Sequence, residues 1–245
     1  MLPRRLLVLL LASPLGGCLA YEFDHELWLR VDGSGTVHVT GRPELWSAFK
    51  GAGDPATLTP EALRALFERS GLEVREVTRT RRDGRPFLFV SAAFDDVNRL
   101  GGSPAFPDLR IGLRREGERL VLEGRWSAVD SSDPPPARPD ELVAIRFHVP
   151  SRIHSHRNAS DGVERGNIVS WRQGLEPALA GRPLEFGVEM EDSSILRDTL
   201  ALFLGAGALG LGLVGTALWL LWRRGHRALG REGGSPRPGR QRTPE

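Results

Sequence analysis

The sequence holds one cysteine, one tyrosine and two methionines in 245 residues. The single cysteine, Cys18, excludes a disulfide within the chain, and with it the usual covalent staple of a small exported domain. Motifs for nucleophilic or metal chemistry are missing too: there is no GxSxG, no HExxH and no thiol beyond Cys18. His154-Ser-His156 and His148 bring imidazoles close along the chain without a third ligand at metal-site spacing, so they read as a solvated loop. Adjacent carboxylates such as Asp95-Asp96 and Glu189/Glu191-Asp192 do not face one another across a cleft merely by being neighbours. The expectation is a non-enzymatic protein with no cofactor and no metal.

A consistent charge is also lacking. The net charge is +2, but residues 19–199 carry 24 basic against 29 acidic groups, while residues 200–245 carry 7 against 2. The basicity belongs to the ends and not to the central part, which excludes a nucleic-acid partner.

What is present is a long apolar run, Leu200–Trp222, free of charge and ending in Trp219 and Trp222. As a helix it would reach roughly 34 Å, enough to cross a bilayer core of about 30 Å. Two overlapping GxGxxG matches, Gly205–Gly210 and Gly210–Gly215, lie inside this run; neither follows a strand, so a dinucleotide reading fails. Small residues four apart, such as Ala206/Gly210 and Ala208/Gly212, suit helix-mediated self-association, or are simply tolerated in a lone span. Arg223, Arg224, Arg227 and Arg231 follow at once and mark the cytoplasmic side, so residues 223–245 read as a basic disordered tail inside and the preceding domain as outside.

At the other end, Arg4-Arg5, the apolar run Leu6–Leu11 and Leu15-Gly16-Gly17-Cys18 have the three parts of a secretory signal. The last four residues resemble the bacterial lipobox, so residues 1–17 read as a signal peptide and Cys18 as the lipidated residue; cleavage after Ala20 is the alternative. The expected location is the bacterial cytoplasmic membrane, with a single pass.

Between these ends the pattern is α+β. A hairpin turns at Asp32–Gly35, with a short helix expected near Glu44–Phe49 and a helix capped by Thr59-Pro60 running to Gly71. Two more hairpins follow, Leu72–Thr80 with Pro86–Phe94 and Leu109–Arg115 with Arg119–Trp126, and Asp95–Leu100 between them reads as a short helix. Residues 18–129 thus form an α+β ectodomain of mainly antiparallel sheet. The Pro-rich stretch 130–140 is a linker or a surface loop, and residues 141–193 supply three further strands, at Val143–Val149, Asn167–Trp171 and Leu184–Met190. Pro86–Phe94 is apolar on both faces, so its second side must meet another layer or a ligand. Trp28, Phe87 and Phe89 are the candidates for lipid contact there. Arg75, Arg79 and Arg81, at even spacing on one strand face, are candidates for phosphate headgroups.

The segment Ala144–Ile153, then Asn158, then Gly166-Asn167-Ile-Val-Ser-Trp171, resembles LppM-type bacterial lipoproteins and their relatives. The resemblance extends to the lipobox, the Gly-containing first hairpin, the C-terminal helix and the basic tail. It implies an envelope protein whose ectodomain binds phospholipid or glycolipid, with membrane lipid as partner. The alternative is a protein–protein interaction or scaffolding module with an envelope protein as partner.

Overall fold

The computed structural model describes residues 21–129, 134–192 and 195–229. Cys18 lies outside them, as does the basic tail beyond Leu229. Two compact units divide at Ser194/Ile195.

The first unit is α+β. Its first strand, β1 (Phe23–Leu29), alternates strictly, with Phe23, His25, Leu27 and Leu29 buried and Asp24, Glu26 and Trp28 on the other side. Asp32 shapes the following turn, its Oδ1 accepting from the backbone N–H of Ser34 at 2.9 Å, and the chain returns as β2 (Gly35–Gly41). Helix α1 (Pro43–Lys50) starts on a proline that needs no hydrogen-bond partner and stops at Gly51, whose φ of 61° is left-handed. In α2 (Pro60–Arg69) the Thr59 side chain accepts from the backbone of Ala62, as the capping pattern requires. Strands β3 (Glu73–Arg82) and β4 (Arg85–Phe94) close on Asp83-Gly84, both at positive φ, the two-residue turn that matches strand twist. A single 3-10 turn, Val97–Arg99, precedes the hairpin of β5 (Leu109–Glu116) and β6 (Arg119–Trp126).

Beyond the Pro-rich stretch come β7 (Leu142–His148), β8 (Ile153–Arg157), β9 (Val163–Glu164), β10 (Ile168–Gly174), the short α3 (Leu175–Leu179) and β11 (Leu184–Glu191). Three of these strands match the alternation in the sequence. The exposed β8, the two-residue β9 and α3 carry too little apolar periodicity to announce themselves.

The strands form two sheets. The larger runs β3-β4-β2-β1-β7-β10-β9 and the smaller β5-β6-β11-β8. Among the described residues every pairing is antiparallel except β1 with β7, where Phe23 to Trp28 run alongside Val143 to His148. β7 pairs with β1 and β11 with β6, so the strands before and after the Pro-rich stretch belong to one compact unit.

One continuous core joins both sheets to the helices. Phe186 of β11 packs at 5.2 Å from Phe147 and 5.8 Å from Trp171 of the large sheet, while Phe23 stacks at 4.9 Å on Phe49 of α1. Helices and small sheet thus share one face of the large sheet. Of the two expectations for the second apolar face of β4, a further layer is not found among the described residues: Phe87, Phe89 and Trp28 lie on the side away from the helices and the small sheet.

The second unit is α4 (Ile195–Leu229), a 35-residue helix whose stretch Leu202–Leu220 is long and apolar enough to cross a membrane. Thr216, the polar residue within it, donates its hydroxyl to the Gly212 carbonyl at 2.7 Å, which satisfies the group inside the helix itself.

Truncation at the sheet-to-sheet contact should be costly. Phe186→Ala is expected to lower unfolding stability by about 3–5 kcal/mol, and Val163→Ala on the exposed β9 by under about 0.5 kcal/mol, read from urea midpoints of the full chain in micelles.

Candidate functional site

The outward positions of four neighbouring strands build a shallow platform. On β1 these are Asp24, Glu26 and Trp28; opposite them stand Thr40, His38 and Thr36 of β2, and Ala144, Arg146 and His148 of β7. Phe89 of β4 lies beside Thr40. Rings run across the strands: Phe89 meets His38 edge-on at 5.2 Å, His38 meets Trp28 at 4.4 Å, and Trp28 stacks on His148 at 4.6 Å with planes 16° apart. All four are only part-buried. Small side chains at Ala144, Ser91 and Ser170 keep the floor low between them.

Charge is arranged around this strip. The Glu26 carboxylate is 2.6 Å from His148 Nε2, with Arg146 Nη1 at 3.8 Å. The hydrogen bond from His148 holds the Glu26 carboxyl below its ordinary range, and burial pulls His38 below that of a free imidazole. Asp24 moves the other way. Burial raises it from 3.8 to about 7, with Glu26 adding repulsion while Arg82 and Arg146 oppose the shift. The platform therefore offers flat rings, a fixed acceptor at Glu26 and cations at its rim.

The predicted contact residues divide. Trp28 and Phe89 belong to the platform. Phe87 shares the face but is 1% exposed, capped by the Arg82 guanidinium 4.9 Å above its ring. The row of arginines is broken by a register shift between Val74 and Glu76. Arg75 sits at that bulge and donates to Thr36 Oγ1 at 3.4 Å, on the platform side. Arg79 follows Val77 onto the core side and donates to the Leu58 carbonyl at 2.9 Å, with Arg81 on the same side of the strand. The three thus cannot grip one phosphate. His38, His148, Glu26 and Arg146 were not foreseen, since only strand register brings them together; the outward D-x-E-x-W of β1 was the available signal.

The interior is filled by Phe23, Phe49, Trp126, Phe147, Trp171 and Phe186. The cleft on the far side of the small sheet, about 500 Å³, is open and edged by Arg110, Glu123, Arg125, Arg157 and Glu185.

A second polar cluster lies inside the core. Lys50 Nζ is 2.8 Å from Asp108 Oδ1, with both side chains wholly inaccessible. The Trp126 indole N–H donates to Asp108 Oδ2 at 2.6 Å, and the Lys50 ammonium sits 4.1 Å over the Phe106 ring. His25 Nε2 is 3.9 Å from Oδ2, and neither of its ring nitrogens has a hydrogen-bond partner. Burial lowers Lys50 from 10.5 to about 8, raises Asp108, and holds His25 well below 6.5 and so uncharged.

No family model matches the chain, and no curated protein matches it. Among solved structures the chain is similar to the folded domain of the LppM protein of Mycobacterium tuberculosis, determined by NMR. The TM-score is 0.37 at 15% identity, over 71% of this chain and 92% of that one. A likeness of this size assigns neither a family nor an activity.

Asp24 gives the platform a pH signature. Because its folded-state value lies above its unfolded one, its contribution to stability is complete below about pH 4 and is lost as the pH rises through about 7. Asp24→Asn should remove that decline, so urea midpoints of the variant measured from pH 4 to 8 should fall less than those of the parent chain.

Proposed function

We propose that this protein is a membrane-tethered, non-enzymatic lipoprotein of the bacterial envelope whose ectodomain holds lipid headgroups, glycolipid before plain phospholipid, on the outward face of its large sheet. The observation that carries this reading is the part-exposed strip of Phe89, His38, Trp28 and His148 on a face that no helix or sheet among the described residues covers. The C–H face of a sugar ring is electropositive and complements the negative face of an indole. Glu26 supplies an acceptor and Arg146 donors for ring hydroxyls beside Trp28, and Arg75 and Arg82 are cations suited to a phosphate at the rim. Acyl chains stay in the bilayer on this reading, which agrees with a core already filled by aromatic side chains.

Tethering rests on two features at opposite ends of the chain. The lipobox-like Leu15–Cys18 provides a lipid anchor, and α4 provides a span whose following arginines keep the tail in the cytoplasm. A lipobox cysteine carries the two acyl chains of diacylglycerol, but a spanning helix inserts in an effectively irreversible way, so the helix is the dominant tether.

Two experiments test this. The full chain in phosphatidylglycerol nanodiscs, with or without galactosyl diacylglycerol, is footprinted with hydroxyl radicals. Oxidation of Trp28 should fall only when the glycolipid is present, and Trp28→Ala should weaken glycolipid retention at least about tenfold. Equal oxidation of Trp28 in both discs would sink the headgroup reading. Separately, Cys18→Ala should abolish incorporation of labelled fatty acid while leaving the protein in the membrane fraction; release of the variant would show that the helix is not the main anchor.

A further inference from the structure

Of the 33 basic residues in the sequence, Lys50 is the only lysine. Arginine serves everywhere else, including the buried ion pairs of Arg42 with Glu22 and Glu141. The one lysine closes α1 inside the core, with its amine 2.8 Å from the Asp108 carboxyl at the start of β5. For a buried ion pair arginine is the better residue, being more weakly hydrated and able to bind a carboxylate through two N–H groups. What arginine cannot do is lose its proton and attack as a neutral amine. Lysine can, and its surroundings favour that form: burial lowers Lys50 and raises Asp108, each towards its uncharged state.

We propose that Lys50 and Asp108 condense to an intramolecular amide that ties the C-terminal end of α1 to the N-terminal end of β5. The reaction needs no oxidant and no cofactor. The Nζ lone pair of the neutral amine attacks Cγ of the protonated carboxyl, forming the C–N bond. Oδ2 takes up the charge of the tetrahedral intermediate, where the Trp126 N–H already donates to it at 2.6 Å. Oδ1, protonated by the carboxyl's own hydrogen, then departs with one proton from Nζ, so that one C–O bond breaks and one water is released. The Nζ to Oδ1 hydrogen bond brings the amine against the carboxyl group, as a productive approach at about 3–3.5 Å requires.

His25 is the group beside the carboxyl that can relay the proton. It is uncharged, its Nε2 lies 3.9 Å from Oδ2, and both ring nitrogens lack hydrogen-bond partners in a site where an unpaired polar group is costly. A group left unsatisfied in the resting arrangement is explained if its partner forms only as the amine gives up its proton. The aromatic lining from Phe23, Phe106 and Trp126 keeps water from reversing the step. Amide formation also removes two charges from the core, where their desolvation is expensive. The proposal is independent of the headgroup platform, since His25 points to the opposite side of β1 from Trp28.

The test is peptide mapping of the purified full chain after denaturation and trypsin digestion. The expected product is the Leu100–Arg110 peptide joined to the peptide containing Lys50, lighter than the two together by one water, with no cleavage after Lys50. Processing at either terminus does not affect that reading. Lys50→Met and Asp108→Ala should release the Leu100–Arg110 region as a linear peptide, and His25→Ala should greatly reduce the cross-linked fraction. Cleavage after Lys50 together with a linear Leu100–Arg110 peptide in the parent chain would overturn the proposal.

Discussion

The two-residue period of β1 governs both regions of interest. The strand lies between β2 and β7 in the large sheet, and its alternate side chains serve opposite environments. Phe23, His25 and Leu27 enter the core, where His25 meets Asp108 and Trp126. Asp24, Glu26 and Trp28 stand on the open face, where Trp28 stacks on His148. A slip of one residue against either neighbour would bury Glu26 and expose His25, so register here is strongly specified. Gly41 of β2 records the same constraint: a Cβ there would meet the Phe23 ring, so the partner strand has no side chain where Phe23 turns inward.

Polar groups are handled differently on the two sides. On the open face each partner keeps some contact with water, and Glu26, His148 and Arg146 form a small network whose net worth is modest. Inside, Lys50 and Asp108 are cut off from solvent, and an ion pair in such a place gains little over apolar side chains of the same size. Retention of a lone lysine there calls for a reason other than stability by charge. At the edge of the core, Glu22, Arg42, Arg85 and Glu141 show the ordinary solution, two carboxylates shared between two guanidiniums.

Local signals in the sequence carried much of the fold. Asp32–Gly35 marked a hairpin, Thr59-Pro60 marked a helix start, and alternation from Val143 to Val149 and Leu184 to Met190 marked strands, all as found. Long-range pairing was not legible. Nothing in residues 142–148 announces that they run parallel to β1, and the bulge at Arg75 that separates it from Arg79 leaves no trace in a pattern of even spacings. Trp28 and Phe89 were visible as apolar residues on the wrong face of their strands. Their neighbours His38 and His148 were not, because a histidine in an alternating strand is read as merely polar until its cross-strand partners are known. Lys50 and Asp108 are 58 residues apart, and an amphipathic helix ending in lysine looks like one with a solvated last turn.

The outermost strands have their own consequence. β3 is studded with arginine and glutamate and broken by a bulge, β9 is only two residues long, and β5 and β8 at the margins of the small sheet carry Arg114, Arg115, His154 and Arg157. A free strand margin is an invitation to pair with another chain, and charge, brevity and bulges withdraw it. Copies of this domain crowded side by side will therefore not zip together through their backbones, and any assembly they form must be written in side chains.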